Sequence, residues 1–472
     1  VLTDLLFEHP FADDEALLHT VERTVTAGAA RDGARAVADE LVSVGVRAGM
    51  PVLVQLVNDP DFVAALFGVW LAGGVFVPVN PRAPQLEVER ISDAVRPAAV
   101  LSPAGVRVVD GDPAIHDPDT AFVMWTSGTT GEPKAILHTH TAYIELLDRV
   151  LGPLRGASGA SGPAKRPTPN LIPVSLSLNA GLYNALFGLR AGASLVIMDG
   201  FDTATFADLV HRFEIRSTVL PPAAITMLND DATIDSLTPL RYVRSITAPL
   251  SPLQARRFTE RFGAFVLNGY GQAEIGEVIG WTAADAKAHP DKVGAVGRPH
   301  AGVDVKLVGP DGALWVRPPS MAAGYAGGGE LADRVDGDGF VDTGDLARID
   351  DDGFVWIEGR AGDVINRGGH KVFPEHVEEV LRLAPGVVDA AVVAAPDDRL
   401  GEVPVAYVVC TPGAVVDDAA LEALCRDHLV AYKVPVAFER VDALPRNEAG
   451  KLLRAQIVVR WGDARSSWDP GG

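Results

Sequence analysis

The sequence predicts an α/β protein: a large N-terminal domain of layered α/β sheets with a β-barrel-like subdomain, then a small, mobile α+β domain. Three observations lead there. Apolar, β-rich runs alternate with stretches of helical period through the first part of the chain, as in parallel sheets covered by helices. From about Gly294 the texture changes to short strands separated by Gly, Pro and Asp turns. After Arg360 it changes again, to amphipathic helices set between apolar strands.

In chain order, MPVLVQLV (Met50–Val57) predicts a strand, FVAALFGVWLA a helix from about Asp61, and VFVPVN (Val75–Asn80) a second strand. Phe62–Val79 is uncharged for about the length of a membrane span. Gly73-Gly74 and Pro78 interrupt it, so a buried helix, a glycine turn and a buried strand are expected in place of a span. ASLVIMDG, TFADLVHRFE and STVL continue the alternation. In the barrel-like region DDDG, Asp350–Gly353, predicts a turn between two strands. HVEEVLRL and DDAALEALCRDHL predict helices, the second opened by acidic residues. AAVVAAP and VPVAYVVC predict strands. The expected boundary divides residues 1–362 from residues 363–472. Gly156–Pro169 is a low-complexity surface loop, and the tail after Arg460 has no period.

Composition narrows the function. Of 472 residues, 47% are hydrophobic and 22% charged, ordinary for a globular protein. The formal charge of −21 disfavours nucleic acid and anionic membrane as partners. Cys410 and Cys425 make neither a disulfide framework nor a zinc pattern, and no charged-then-apolar leader opens the sequence. A cytoplasmic location is expected.

Residues 126–134 read TSGTTGEPK. The spacing Gly128-x-x-Gly131-x-x-Lys134 is not the common GxxxxGK[ST] loop, since Pro133 precedes the lysine and Ala135 follows it. It still suits phosphate. The glycines let backbone N–H groups turn toward an anion, and Thr126, Ser127, Thr129 and Thr130 add hydroxyl donors.

This loop, with NGYGQAE (Asn268–Glu274), DTGD (Asp342–Asp345), GRAGD (Gly359–Asp363), INRGGHKVFPEHVEEVL and LPRNEAGKLLR, resembles the signature motifs of the adenylate-forming enzymes, in order over nearly the whole chain. That family includes acyl-CoA synthetases, luciferases and the adenylation domains of peptide synthetases. The resemblance implies ATP, Mg²⁺ and CoA as cofactors, with a carboxylate attacking the α-phosphate of ATP. Pyrophosphate leaves, and a thiol then displaces AMP from the acyl-adenylate. The first step poses an electrostatic problem, which donors, cations and a metal ligand solve.

Residue by residue, the resemblance places Thr126, Ser127, Gly128, Thr129, Thr130, Gly131 and Lys134 around the phosphates, with Thr126 also catalytic. Glu274 would hold Mg²⁺. Asn268, Gly269, Tyr270 and Gly271 would lie along the nucleotide, Tyr270 against the adenine with Ala248 and Pro249 on its other face. Asp345 would accept from the ribose hydroxyls, with Arg360 and Ile357 nearby. Lys451 would bridge substrate carboxylate and phosphate, and Asp363 would be the hinge. Gly368, Gly369 and Lys433 would line the thiol tunnel. Ser175, Leu176, Ser177, Asn179, Ile246 and Thr247 would line the acyl pocket.

Three positions depart from the pattern. Ala273 stands where threonine is usual, which predicts slower adenylation. PVSLSLNAGL, Pro173–Leu182, lacks the aromatic-His pair of the acyl pocket. Ile246-Thr247 replaces a glycine pair. The pocket wall is therefore expected to be Leu, Ser, Asn and Ile with no carboxylate for an ammonium group, which favours a fatty or similarly apolar acid over an amino acid. CoA is the expected acceptor, with no large insertion of the acyl-AMP ligase kind. The alternatives are an acyl-AMP ligase loading a carrier protein, or a nucleotide-binding relative with weak catalysis.

Overall fold

The apolar runs become short strands buried on both faces. Pro51–Val54 and Val75–Pro78 are buried at every residue and lie parallel to each other. The Pro60–Leu71 helix between them is opened by Asp59, whose carboxylate accepts from the Asp61 N–H, and by Pro60 in its first turn. Gly73 turns the chain with φ +78°. Thus Phe62–Val79 is a buried helix, turn and strand. Among the described residues no helix is long and apolar enough to cross a membrane. Trp70, at the end of that helix, donates its ring N–H to the Ala121 carbonyl at 2.7 Å.

A computed structural model describes residues 1–126, 134–156, 167–246, 250–326, 331–446 and 452–457. The expected surface loop is therefore described only at its ends, and the tail after Arg460 lies outside the described residues. By packing, the chain divides into two units. The larger takes in residues up to Asp304 together with Arg317–Val341, and the smaller holds Val305–Val316 and the chain from Asp342 onward. The expected domain boundary at 362/363, with its hinge at Asp363, is a separate division from this one.

The larger unit carries two mixed sheets. Seven strands run in the order Gly324–Tyr325, Lys134–Thr139, Thr120–Thr126, Val75–Pro78, Pro51–Val54, Ala99–Ser102, Gly105–Val108. The middle is parallel and both edges are antiparallel. Nine strands form the second sheet, in which Phe265–Gln272, Tyr242–Ser245, Ser217–Val219, Asn170–Ile172, Leu195–Ile197 and Ala16–His19 are consecutive parallel neighbours. One apolar cluster, including Val52, Phe62, Phe76, Phe122, Leu147, Ile172 and Leu186, draws on both sheets and the helices between them. That shared core is why the sheets form layers.

Close backbone approaches fix the pocket segment. Asn58 donates to the carbonyls of Val174 and Met198, both at 2.9 Å, and accepts from the Leu176 N–H at 2.8 Å. Gly181, in the first turn of the Asn179–Arg190 helix, packs against the Ser175 carbonyl so tightly that a Cβ there would lie 2.0 Å from the oxygen.

Asp304–Val308, Ala313–Arg317, Val341–Ile349 and Val355–Arg360, which belong to the smaller unit except at three strand ends, form a four-stranded sheet in that order. Its last two strands meet at the DDDG turn. There the Asp350 carboxylate accepts from the Phe354 N–H at 2.9 Å and from the Trp356 ring N–H at 3.0 Å. The long hairpin Val387–Asp397/Gly401–Cys410 forms the centre of the other sheet, covered by Pro374–Leu381 and Asp418–His428. Cys410 and Cys425 are both free thiols. Burial pushes Cys425 up to about 11, leaving it a small core residue.

Two outcomes follow for stability. Gly181→Ala should cost about 1–3 kcal/mol in a denaturant titration, because the backbone at Ser175 must move to admit a methyl group. Burial also pushes Glu379 up to about 7, with Arg382 opposing and Glu378 and Glu375 adding to the rise. Its unfolded form ionises near 4.5, so the folded state loses stability as pH rises from there through about 7. Glu379→Gln should match the parent at pH 4 and melt at a higher temperature at pH 8; a difference of the opposite sign would contradict the assignment.

Candidate active site

The strand Thr120–Thr126 and the strand Lys134–Thr139 pair antiparallel, bringing Thr126 opposite Lys134. The glycine-rich loop is thus the connection of a hairpin. Ser127, Gly128, Thr129, Thr130 and Gly131 themselves lie outside the described residues, as does the side chain of Thr126. The Lys134 ammonium sits over the Tyr325 ring, 5.0 Å from its centroid.

Tyr325 leads directly to Glu274. Its hydroxyl donates to Glu274 Oε1 at 3.1 Å, and Arg334 Nη1 donates to the same oxygen at 3.2 Å. Arg334 Nη2 also donates to the Gln272 side chain at 3.0 Å, and Gln272 Nε2 donates to the Tyr270 hydroxyl at 3.4 Å. A chain of contacts therefore joins Lys134, Tyr325, Glu274, Arg334, Gln272 and Tyr270. Burial and the neighbouring Glu274 carboxylate hold the Tyr325 phenol above its ordinary range, so it remains a donor. Arg334, in the turn Leu331–Arg334, carries no motif that marked it in advance.

The residues present suit magnesium in a limited way. Among the described residues no group of three or more His, Cys, Asp or Glu is placed to hold a metal ion. The protein offers the nearly buried Glu274 carboxylate, leaving other positions to phosphate oxygens and water, which fits a small hard cation that keeps much of its hydration.

Asn268, Gly269, Tyr270 and Gly271 lie on the strand Phe265–Gln272, which turns at Ala273 into Gly276–Gly280. Ala273 packs its methyl against Ile136, Ala322 and Leu331. Ala248, Pro249 and Thr247 lie outside the described residues. In the pocket segment Leu176 is buried, and the Ser175 and Ser177 hydroxyls are 2.8 Å apart. Asn179 keeps its side-chain Oδ1 buried without a hydrogen-bond donor among the described residues.

Charged residues lie beside the segment expected to line the acyl pocket. Pro173–Leu182 itself has no carboxylate, but Glu277 from the neighbouring strand is buried close to Ile246 and Gly269. It is ion-paired to Arg244, accepts from the Tyr183 hydroxyl at 3.3 Å, and lies 3.2 Å from His300 Nε2. Burial opposes its ionisation, yet Arg244 and His300 hold it down at about 2. These four residues are far apart in sequence and belong to none of the motifs.

In the smaller unit Asp345 stands opposite Arg360 across two antiparallel strands, with Arg360 Nε 2.8 Å from its carboxylate. Ile357 is half-buried on the same strand as Arg360. Gly344 has φ +70°, which lets the strand bend between Asp342 and Asp345. Gly368 and Gly369 form the two-residue connection between Ile365–Arg367 and His370–Val372, with φ +56° and +88°. Positive φ at both positions is what such a hairpin turn requires, so geometry alone accounts for this glycine pair. Lys433 is half-buried in the turn Ala431–Lys433, next to Tyr432, whose ring stacks on His370 at 4.5 Å.

Lys451 lies outside the described residues, but Arg454, three positions on, is held firmly. Its Nε is 3.3 Å from Asp363 and its Nη2 3.0 Å from Glu375, while Nη1 pairs with Glu378 and donates to the Val392 carbonyl at 2.9 Å. The terminal segment is thereby tied to the residue predicted as the hinge. The sequence analysis passed over Arg454; its place three residues after the glycine-lysine pair was the available signal.

Residues 8–117 and 109–326 match the family model of the AMP-binding enzymes, and residues 376–451 match the model of the AMP-binding enzyme C-terminal domain. The chain is 30% identical to a sulfoacetate–CoA ligase of Cupriavidus necator, over 92% of each protein. It is 31% identical to a 4-coumarate–CoA ligase-like protein of Oryza sativa subsp. japonica, over 95% of this chain and 90% of that one. Its fold superposes on ATP-bound MatB from Rhodopseudomonas palustris with a TM-score of 0.86, covering 98% of this chain and 99% of that one at 24% identity. With its motifs in order and both family domains matched, the chain belongs to the AMP-binding enzymes, the adenylate-forming superfamily of acyl-CoA ligases.

Proposed function

We propose that the protein is an ATP-dependent acid–thiol ligase whose acid has an apolar body, fatty or similar, and whose acceptor is CoA. The observation that carries the reading is the Lys134–Tyr325–Glu274–Arg334 arrangement beside the phosphate hairpin. It sets two cations and a metal-binding carboxylate around one small volume, as polyphosphate chemistry demands. The buried Leu176 and half-buried Ile246 support the apolar body. The relatives' own acids range from sulfoacetate to 4-coumarate by name, so they support the reaction type more than the acid.

In this proposal the residues act as follows. The hydroxyls and N–H groups of residues 126–131, with Lys134, hold the β- and γ-phosphates and stabilise pyrophosphate as it leaves. Glu274 would hold Mg²⁺, which supplies charge neutralisation at the phosphate oxygens. Tyr270 lies against the adenine ring, and Asp345 accepts from the ribose hydroxyls while Arg360 orients its carboxylate. The acid's carboxylate oxygen attacks the α-phosphorus, the bond to the bridging oxygen of pyrophosphate breaks, and an acyl-adenylate forms. The CoA sulfur then attacks the acyl carbon, and AMP leaves with the electron pair of the former mixed anhydride bond.

Lys451 serves the first half-reaction, placing its charge between carboxylate and phosphate. At about 4 Å and an effective dielectric near 20 that charge contributes roughly 4 kcal/mol, or about a thousandfold in rate. Asp363, between residues 1–362 and 363–472, is the hinge on which Lys451 withdraws for the second half-reaction. Gly368, Gly369 and Lys433 then border the thiol's path.

Pyrophosphate release over a panel of carboxylic acids, with and without CoA, tests the assignment. Release that depends on the acid, and a CoA ester that appears when CoA is added, are the expected results. Acid-dependent release without any CoA ester would favour a carrier-protein acceptor, and no release with any acid would favour a nucleotide-binding protein without ligase activity. Lys451→Ala should lower acyl-adenylate formation about a thousandfold while leaving thiol attack on supplied acyl-adenylate largely intact. Equal loss in both half-reactions would show that the lysine has a different role.

A further inference from the structure

We propose that the Arg244–Glu277–His300–Tyr183 cluster is the specificity end of the acyl pocket and selects an acid whose apolar body carries one uncharged hydrogen-bonding group, a hydroxyl or a carbonyl. This rests on the ligase reading above and narrows its substrate.

Three segments assigned to the pocket or to the nucleotide strand converge on the cluster. Arg244 and Ile246 are two residues apart in extended chain, so they share a face of the nine-stranded sheet. Gly269 lies on the adjacent strand, where a Cβ would sit 3.2 Å from Glu277 Oε1 and 3.2 Å from Ile246 Cγ2. The carboxylate is therefore beside the pocket-lining isoleucine. Tyr183 projects from the Asn179–Arg190 helix, the same helix that seats the Ser175–Ser177 turn against Gly181. Phe187, one turn further along, lies 5.6 Å from the Arg244 guanidinium carbon and gives that side an aromatic wall.

The composition of the cluster indicates what it takes. A buried ion pair generally stabilises a protein no more than well-packed apolar residues of the same volume. A pocket for a plain alkyl chain gains nothing from this pair, because its methylenes would desolvate charged groups without replacing the lost hydrogen bonds. Glu277 and Arg244 balance in charge. A second carboxylate on the substrate would meet Glu277, and an ammonium would meet Arg244. A neutral group escapes both repulsions: its oxygen can accept from the guanidinium, and a hydroxyl can also donate to Glu277 or Tyr183. Arg244 keeps 16% of its side chain exposed, and its hydrogen-bonding partners among the described residues are Glu277 and Tyr183. The guanidinium fork has more donors than those contacts use. A site built to bond a substrate hydroxyl discriminates against the analogue without it far more strongly than an apolar pocket rejects an added methylene.

The test uses matched acids: butanoic and 4-hydroxybutanoic, octanoic and 8-hydroxyoctanoic, cinnamic and 4-hydroxycinnamic. Acid-dependent pyrophosphate release is measured for the full chain and for Tyr183→Phe and Glu277→Gln. In at least one pair the hydroxylated acid should be preferred by roughly tenfold or more in kcat/KM. That preference should fall to roughly threefold or less in Tyr183→Phe. Glu277→Gln, which leaves Arg244 unbalanced, should raise the use of octanedioic acid relative to octanoic acid. The ratio of two substrates on one protein sample is insensitive to partial loss of folded enzyme. Release without a hydroxyl preference, or a preference that survives both substitutions, overturns the inference and leaves the ligase reading standing. No release with any acid overturns the ligase reading, and the inference with it.

Discussion

Glu274 is a carboxylate almost removed from water, with one oxygen shared between the Tyr325 hydroxyl and the Arg334 guanidinium. Burying such a charge without partners is costly, and removing one partner of a buried pair typically costs about 3–5 kcal/mol. The strand-to-strand turn at Ala273, the short Gly324–Tyr325 strand and the Leu331–Arg334 turn are arranged around that constraint. Lys134 joins through the Tyr325 ring, so a single tyrosine links the Thr120–Thr139 hairpin to the carboxylate proposed to hold Mg²⁺. The same contacts that make the carboxylate tolerable in the interior also fix where a cation could bind.

A comparable arrangement organises the smaller unit. Arg454 gathers Asp363, Glu375 and Glu378, three carboxylates that would otherwise repel one another. Burial, opposed by Arg454, raises Glu375 above its ordinary range, and Glu378 adds to the rise. Arg382 supports the group from the other side, contacting Glu378 and Asp389. Arg454 sits three residues after Lys451 and touches Asp363, so the described terminal segment and the residue proposed as the hinge share one ion-pair network.

The region proposed as the acyl pocket illustrates how apolar and polar demands are divided. Near the Ser175–Ser177 turn the wall is set by backbone contacts, with Asn58 supplying hydrogen bonds that the chain there lacks. Beside Ile246 the wall carries charge, balanced within itself. Tyr183 sits between the two regions, buried enough that its hydroxyl stays protonated and available as a donor.

The sequence by itself determined the class of fold, the buried helix and strand within Phe62–Val79, and the ordered motifs, because local periodicity and glycine spacing are properties of adjacent residues. It also marked Lys134, Glu274, Asp345 and Arg360, whose roles belong to short signatures. It did not reveal Arg334, Arg454 or the Arg244–Glu277 pair. Arg334 meets Glu274 across 60 positions and Arg454 meets Glu378 across 76. Nothing local distinguishes Arg334 or Arg244 from the solvated arginines that most are, and Arg454 carries only its place at the end of the glycine-lysine motif. The glycine pair at 368 and 369 taught the converse: the sequence marked it for a ligand, while the backbone shows a hairpin whose positive φ angles need glycine in any case. Charges can be counted in a sequence. Which of them are withdrawn from water, and which opposite charge then makes that affordable, is decided only when strands and helices distant along the chain pack together.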